Sequence, residues 1–168
     1  MKRRLMVLIS GLLVSTAFGQ SSPSLPRTLE FLSAIVRQSE TVGNKEGTLV
    51  DADIFESSGC AVTITDVNKT FGERGEARGS LTITDSFSLK DMDPSSVAVK
   101  DFSDDSFPGS SSVELDTTNF RNLVTRKAFG ETLMVSNSGI QMDSKSAPRF
   151  AKALKHAILL CSGGASAF

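Results

Sequence analysis

The chain has 168 residues, with 18 Lys and Arg against 19 Asp and Glu, one histidine, two cysteines and neither Trp nor Tyr. A charge this close to balance leaves no electrostatic footprint for a nucleic acid, and one imidazole excludes a metal site built from a histidine cluster. Beyond the opening residues, no apolar stretch approaches the roughly 20 residues that a bilayer-spanning helix needs.

The sequence begins MKRRLMVLISGLLVSTAFGQ. Lys2, Arg3 and Arg4 form a basic head, and Leu5–Val14 is an apolar run too short to span comfortably. Ala17-Phe18-Gly19 sets small residues three and one before a cut ahead of Gln20. This pattern predicts a secretory signal peptide over 1–19, with a retained membrane anchor as the alternative and no membrane span once the signal is removed. Loss of its three basic residues takes the formal net charge from −1 to −4 and leaves 149 residues, enough for one domain with a real core. The expected location is exported, either periplasmic or extracellular. Residues 20–27, rich in Ser and Pro, read as a flexible lead, and 28–164 as a single globular domain.

Thr28–Ser39 places Leu29, Leu32, Ile35 and Val36 on one face with Thr28 as cap, which predicts a short N-terminal helix. Gly43–Gly47 reads as a polar turn. From Thr48 the period changes to two. TLVDADIFE is strand-like, and CAVTITDV sets Val62 and Ile64 against Thr63 and Thr65. FGERGEARG at Phe71–Gly79 reads as a turn. SLTITDSFSL predicts a strand whose phase shifts at Asp85-Ser86, as at a bulge. KDMDPSS is a turn, because Pro94 pushes Asp93 out of helical geometry and the Asp and Ser side chains bond their own backbone. VAVKDF is a short strand, and Ser103–Ser112 a loop of low order. VELDTTNF, LVTRKAF and TLMVSNSGIQMD predict three further strands, with turns at Gly130 and Asn137–Gly139.

Ser144–Gly164 carries the clearest helical pattern. Ala147, Phe150, Ala151, Leu154, Ala157, Ile158 and Cys161 recur at three- and four-residue steps, while Lys145, Arg149, Lys152 and Lys155 fall mostly outside that stripe. Ser144 or Ser146 is placed to cap it, Pro148 sits in the tolerant first turn, and Gly163-Gly164 supplies the stop. The expected fold is α+β: an antiparallel meander of six or seven strands closed by this C-terminal helix. The layout also looks like a pleckstrin-homology-type barrel, an analogy that carries no ligand with it.

Cys60 and Cys161 are an even count without a CxxC motif, which in an oxidising compartment predicts one disulfide; two free buried thiols are the alternative. Closing a loop of about 100 residues would contribute about 4–5 kcal/mol by the chain-entropy account.

Two stretches resemble a family of small exported bacterial proteins of uncharacterised activity. SLKDMDPSSVAV at Ser88–Val99 is similar to its L-x-D-x-D-P-x-S-V turn, and APRFAKALKHAILLCSGG at Ala147–Gly164 to its closing helix with A-K-A-x-x-H-A-I-x-L-C. Cys-Ser-Gly-Gly stands here where the family ending has Cys-Gly-Gly, and the strands lack the expected Trp or Tyr. The resemblance implies export and a one-domain build, and no activity.

His156 is the sole histidine, so any imidazole-dependent catalysis must use it. No carboxylate sits one turn away to orient it, and a boundary side chain bonding a strand carbonyl is the favoured reading. Asp91, Asp93 and Ser95, then Asp101, Asp104 and Asp105, invite a calcium reading. An EF-hand loop requires Gly at its sixth position and Glu at its twelfth, and neither register supplies them. Turn chemistry accounts for these acids, with a weak irregular calcium site as the alternative. No nucleophile-elbow, zincin, phosphate-loop or dinucleotide motif occurs, so no cofactor and no enzyme activity are expected. Phe102, Phe107 and Phe120 border the serine-rich loop and, with His156, are the candidate partner or ligand residues. The leading expectation is a non-enzymatic exported domain that binds a protein or envelope component. A carrier of a small apolar ligand between the sheet and closing helix is the alternative, and an enzyme using His156 with an acid ranks third.

Overall fold

The computed structural model describes residues 22–39, 42–43, 49–72, 75–101 and 107–164. The expected signal peptide at 1–19, the Gly43–Gly47 turn beyond Gly43, Phe102, Asp104 and Asp105 lie outside the described residues.

The first helix, α1, runs Leu25–Gln38, one turn earlier than its apolar stripe alone predicts. Pro26 sits in the first turn, where its missing N–H costs nothing, so the end of the expected lead is helical. Thr28 lies inside the helix and is not the cap. Its hydroxyl donates back to the Ser24 carbonyl at 3.0 Å. Leu29, Leu32, Ile35 and Val36 are buried as expected.

A six-stranded antiparallel sheet follows the order β1-β2-β3-β4-β7-β8, built from Val42–Gly43, Leu49–Ser58, Ala61–Phe71, Ala77–Ser88, Val124–Ala128 and Glu131–Val135. A second, three-stranded sheet has the order β5-β6-β9, from Ala98–Asp101, Ser110–Asp116 and Asn137–Asp143. The expected single meander is therefore replaced by two open sheets, and neither closes as a pleckstrin-homology-type barrel would. After β4 the chain leaves the large sheet through the 3-10 turn Leu89–Asp91, lays down β5 and β6, and returns for β7 and β8. It then crosses back as β9.

Three local expectations need correction. The β3/β4 register runs unshifted past Asp85 and Ser86, and its one irregularity lies at Thr70/Phe71. Asp85 stays in phase with Phe87 and points inward because Arg126 stands opposite it on β7 and neutralises it. Ser110–Ser112 is buried strand instead of loop: Ser110 donates to the Phe107 carbonyl at 2.6 Å and Ser111 to Asp101 at 2.5 Å, so burial leaves these hydroxyls satisfied. TLMVSNSGIQMD breaks at Ser136 into β8 and β9, which belong to different sheets, and Asn137–Gly139 opens β9.

The closing helix α2 spans Ala147–Cys161 and buries the predicted stripe together with His156. Its expected serine cap is absent. Asp143 accepts from the backbone N–H groups of Lys145 and Ser146 at 3.1 and 2.9 Å and performs that task one turn earlier. Gly163, at φ +74, provides the left-handed stop. The helix packs on α1, on the 3-10 turn and on β5 and β6, while α1 lies along β2. Phe150 meets Phe55 of β2 edge-to-face at 5.7 Å. A disulfide joins Cys161 to Cys60 in the β2/β3 turn, with the Cα atoms 5.8 Å apart.

SLKDMDPSSV proves to be a packing turn. Leu89, Met92 and Val97 are buried, and Asp93 accepts from the Ser95 N–H and hydroxyl at 2.8 and 2.6 Å.

Candidate functional site: the groove between the helices

Where α1 and α2 run side by side, their outer faces leave an open groove of about 570 Å3. Pro23, Arg27, Thr28 and Phe31 form one wall and Arg149, Lys152, Ala153 and His156 the other. The spacing follows from helix geometry. Arg27 and Phe31 are four apart, and Arg149, Lys152, Ala153 and His156 fall on one strip one step from the core stripe.

Phe31 is 41 % exposed and forms the apolar floor. The Arg149 guanidinium carbon lies 5.6 Å from the centre of its ring, close enough for a cation–π contact that holds the charge over the groove. Arg27 and Lys152 add two more cations, and no carboxylate lines the groove among the described residues. His156 is buried at its base with Nε2 3.0 Å from the Pro23 carbonyl. A carbonyl only accepts, so Nε2 carries the hydrogen and donates it. The partner is the segment before α1, not the strand carbonyl expected from sequence.

Among the described residues, the predicted partner or ligand candidates Phe107, Phe120 and His156 do not converge. Phe107 is half-buried in the turn before β6, whereas Phe120 is exposed in the 3-10 turn Thr118–Phe120 beyond the other end of that strand. They form no common patch, and His156 lies on another element. Asp93 and Asp101 accept hydrogen bonds from Ser95 and Ser111. Among the described residues no three His, Cys, Asp or Glu side chains cluster as metal ligands, and no helix is long and apolar enough to cross a membrane.

Two inward acids were missed by sequence reasoning. Asp85 accepts from Arg126 Nε and Nη2 at 2.8 and 2.7 Å and from the Ser138 hydroxyl at 2.8 Å, which ties β4, β7 and β9 together. Asp53 of β2 accepts from the Gln141 N–H of β9 at 2.5 Å and stands opposite Asp66 of β3. Burial, with Asp66 adding repulsion and the Gln141 N–H opposing both, pushes the Asp53 carboxyl up to about 7. These acids join the two sheets and are remote from the helix groove.

The chain matches no protein-family model, no curated protein and no solved structure.

Proposed function

We propose that this protein is a non-enzymatic, exported binding domain whose interhelical groove holds an anionic amphiphile, an apolar chain ending in a carboxylate or phosphate. One observation carries the reading: three cations, Arg27, Arg149 and Lys152, surround an exposed phenylalanine in a groove with no lining acid among the described residues. An apolar body covers Phe31 and Ala153, and the head group meets the guanidinium groups, which match such anions bidentately. The space between the sheet and α2, which the ligand-carrier alternative requires, is filled by Phe55, Leu89, Phe150 and Leu154. The ligand site therefore moves outward, to between the helices. His156 supports a binding role over catalysis, since its Nε2–H is used to hold Pro23 as part of the groove wall. An envelope component supplies this chemistry in the exported setting that the N-terminal pattern and the family resemblance imply.

The test is titration with dodecanoate and dodecyl phosphate, followed by native mass spectrometry and competitive displacement of an apolar dye. Binding of one molecule per chain is expected, with dodecanol and acetate each at least tenfold weaker. Phe31→Ser and Arg149→Ala should each weaken it. Vesicles containing anionic lipid form a second arm: binding there alone assigns a membrane head group, and binding of the free amphiphile assigns a carried ligand. Retention of neither, or equal binding by both variants, overturns the reading.

A further inference from the structure

The last strand of the six-stranded sheet, β8, has no strand beyond it among the described residues. It leaves β7 through the two-residue turn Phe129-Gly130, with both residues at positive φ, 55° and 78°. In so tight a hairpin the flanking pair, Ala128 and Glu131, exchanges its hydrogen bonds. Alternation then turns the N–H and C=O of Thr132 and Met134 away from β7, toward the open edge. Leu133 and Met134 are 50 and 51 % exposed along that edge.

Each end of the strand carries an exposed phenylalanine on left-handed backbone. Phe129 is 80 % exposed at the hairpin tip, and Phe120, at φ 53°, is 73 % exposed. Thr117 places the latter: its N–H donates to the Ser136 carbonyl at 2.8 Å and its hydroxyl to the Arg121 carbonyl at 2.5 Å. Phe120 and Arg121 therefore sit at the Val135 end. A bulky side chain at positive φ is strained, and neither ring buries itself within this chain.

We propose that β8 pairs with β8 of a second copy, antiparallel, about a two-fold axis through Leu133. The edge is its own complement. In that register Thr132 faces Met134 of the second copy, so the outward N–H and C=O groups satisfy one another twice, and Leu133 meets Leu133 in the closer non-hydrogen-bonded pair. The Glu131 end meets the Val135 end, which brings the Glu131 carboxylate to the Arg121 guanidinium and Phe129 to Phe120, twice over by symmetry. The apolar side chains offer on the order of 400–500 Å2 per copy, the low end for a specific interface, so a dissociation constant on the order of 10–100 µM is expected.

Sedimentation equilibrium of the full chain from about 5 to about 500 µM should show a reversible monomer–dimer equilibrium. Met134→Pro removes an edge N–H that the β7/β8 ladder does not use, so it should keep the thermal unfolding midpoint while weakening dimerisation at least tenfold. Leu133→Cys should cross-link to itself on mild oxidation, because only the residue on the axis meets its own copy at disulfide distance, and Thr132→Cys should lag far behind. A chain that stays monomeric at the highest concentration overturns the proposal and leaves the edge to a different partner. A dimer undiminished by Met134→Pro, or Thr132→Cys linking as fast as Leu133→Cys, also overturns it by assigning another surface or register.

Discussion

Asp85 and Arg126 stand opposite one another in the β4/β7 register, and the guanidinium grips both carboxylate oxygens at 2.8 and 2.7 Å. With the Ser138 hydroxyl also on Asp85, one carboxylate links the two sheets. Arg126→Leu strands that buried charge and should destabilise by about 2–4 kcal/mol in urea unfolding. Asp85→Leu combined with Arg126→Leu should recover most of the loss, because the cost comes from an uncompensated charge more than from the missing pair. Arg126→Lys should fall between, since an ammonium cannot reproduce the two-pronged grip. A double variant no more stable than the single one would show that the pair itself supplies the stability.

Asp53 gives the fold an unusual dependence on pH. Its folded value of about 7 lies above the ordinary 3.8, so the folded state binds the proton more tightly. Stability from this group is complete below pH 4 and is lost as pH rises through 7. The loss should be on the order of 4 kcal/mol between pH 4 and pH 8. Asp93 and Asp143 act in the opposite direction and in a lower window. Hydrogen bonds from Ser95 lower the first. In the second, hydrogen bonds from Ser146 and Ser39 overcome a raising effect of burial. Their contributions vanish only as pH falls below 4, so the two windows separate. Asp53→Asn should flatten the profile above pH 5 and raise stability at pH 8. An unchanged slope in that variant would assign the dependence to another group.

What the sequence disclosed follows the range of the interactions involved. α2 was legible because its apolar period, early proline and terminal glycines all act within a few residues. The start of α1 was missed because Pro26 was read as a mark of the lead, although the first turn is where a helix accepts proline. Asp85 reads in sequence as a break in phase because its partner lies 41 residues away and leaves no local trace. The groove was hidden for a related reason. Periodicity put Arg149 and Lys152 outside the core stripe, but it cannot report that α1 and Phe31 lie alongside. The cysteines were the exception, since two in a chain define the only possible pair within it.

That pair closes a loop across a sequence separation of 101 residues, from the β2/β3 turn to the last turn of α2. Cys60→Ser with Cys161→Ser should lower unfolding stability by about 3–5 kcal/mol, chiefly by freeing the unfolded chain. Urea unfolding with and without reductant measures the same difference on the unaltered protein. The C-terminal turn of α2 should exchange its amide hydrogens faster, whereas the β3/β4 ladder should keep its protection relative to global unfolding. Equal stability of the oxidised and reduced forms would mean that α2 is already held by Phe150, Leu154 and Ile158 alone.

His156 and Pro23 connect stability to the proposed binding role. The imidazole is buried in α2, and its Nε2–H holds the carbonyl that precedes α1 at 3.0 Å. His156→Phe keeps the ring volume but removes the donor, leaving the Pro23 carbonyl without that bond at a cost of about 1–3 kcal/mol. The loss should be local in part, with faster cleavage or amide exchange over residues 22–28 than over β3 and β4. Because Pro23 forms one wall of the groove, affinity for dodecyl phosphate should fall several-fold in this variant. His156→Gln, which retains an N–H donor, should restore much of both properties. Recovery of stability without recovery of binding would separate the wall from the ligand and assign His156 to the fold alone.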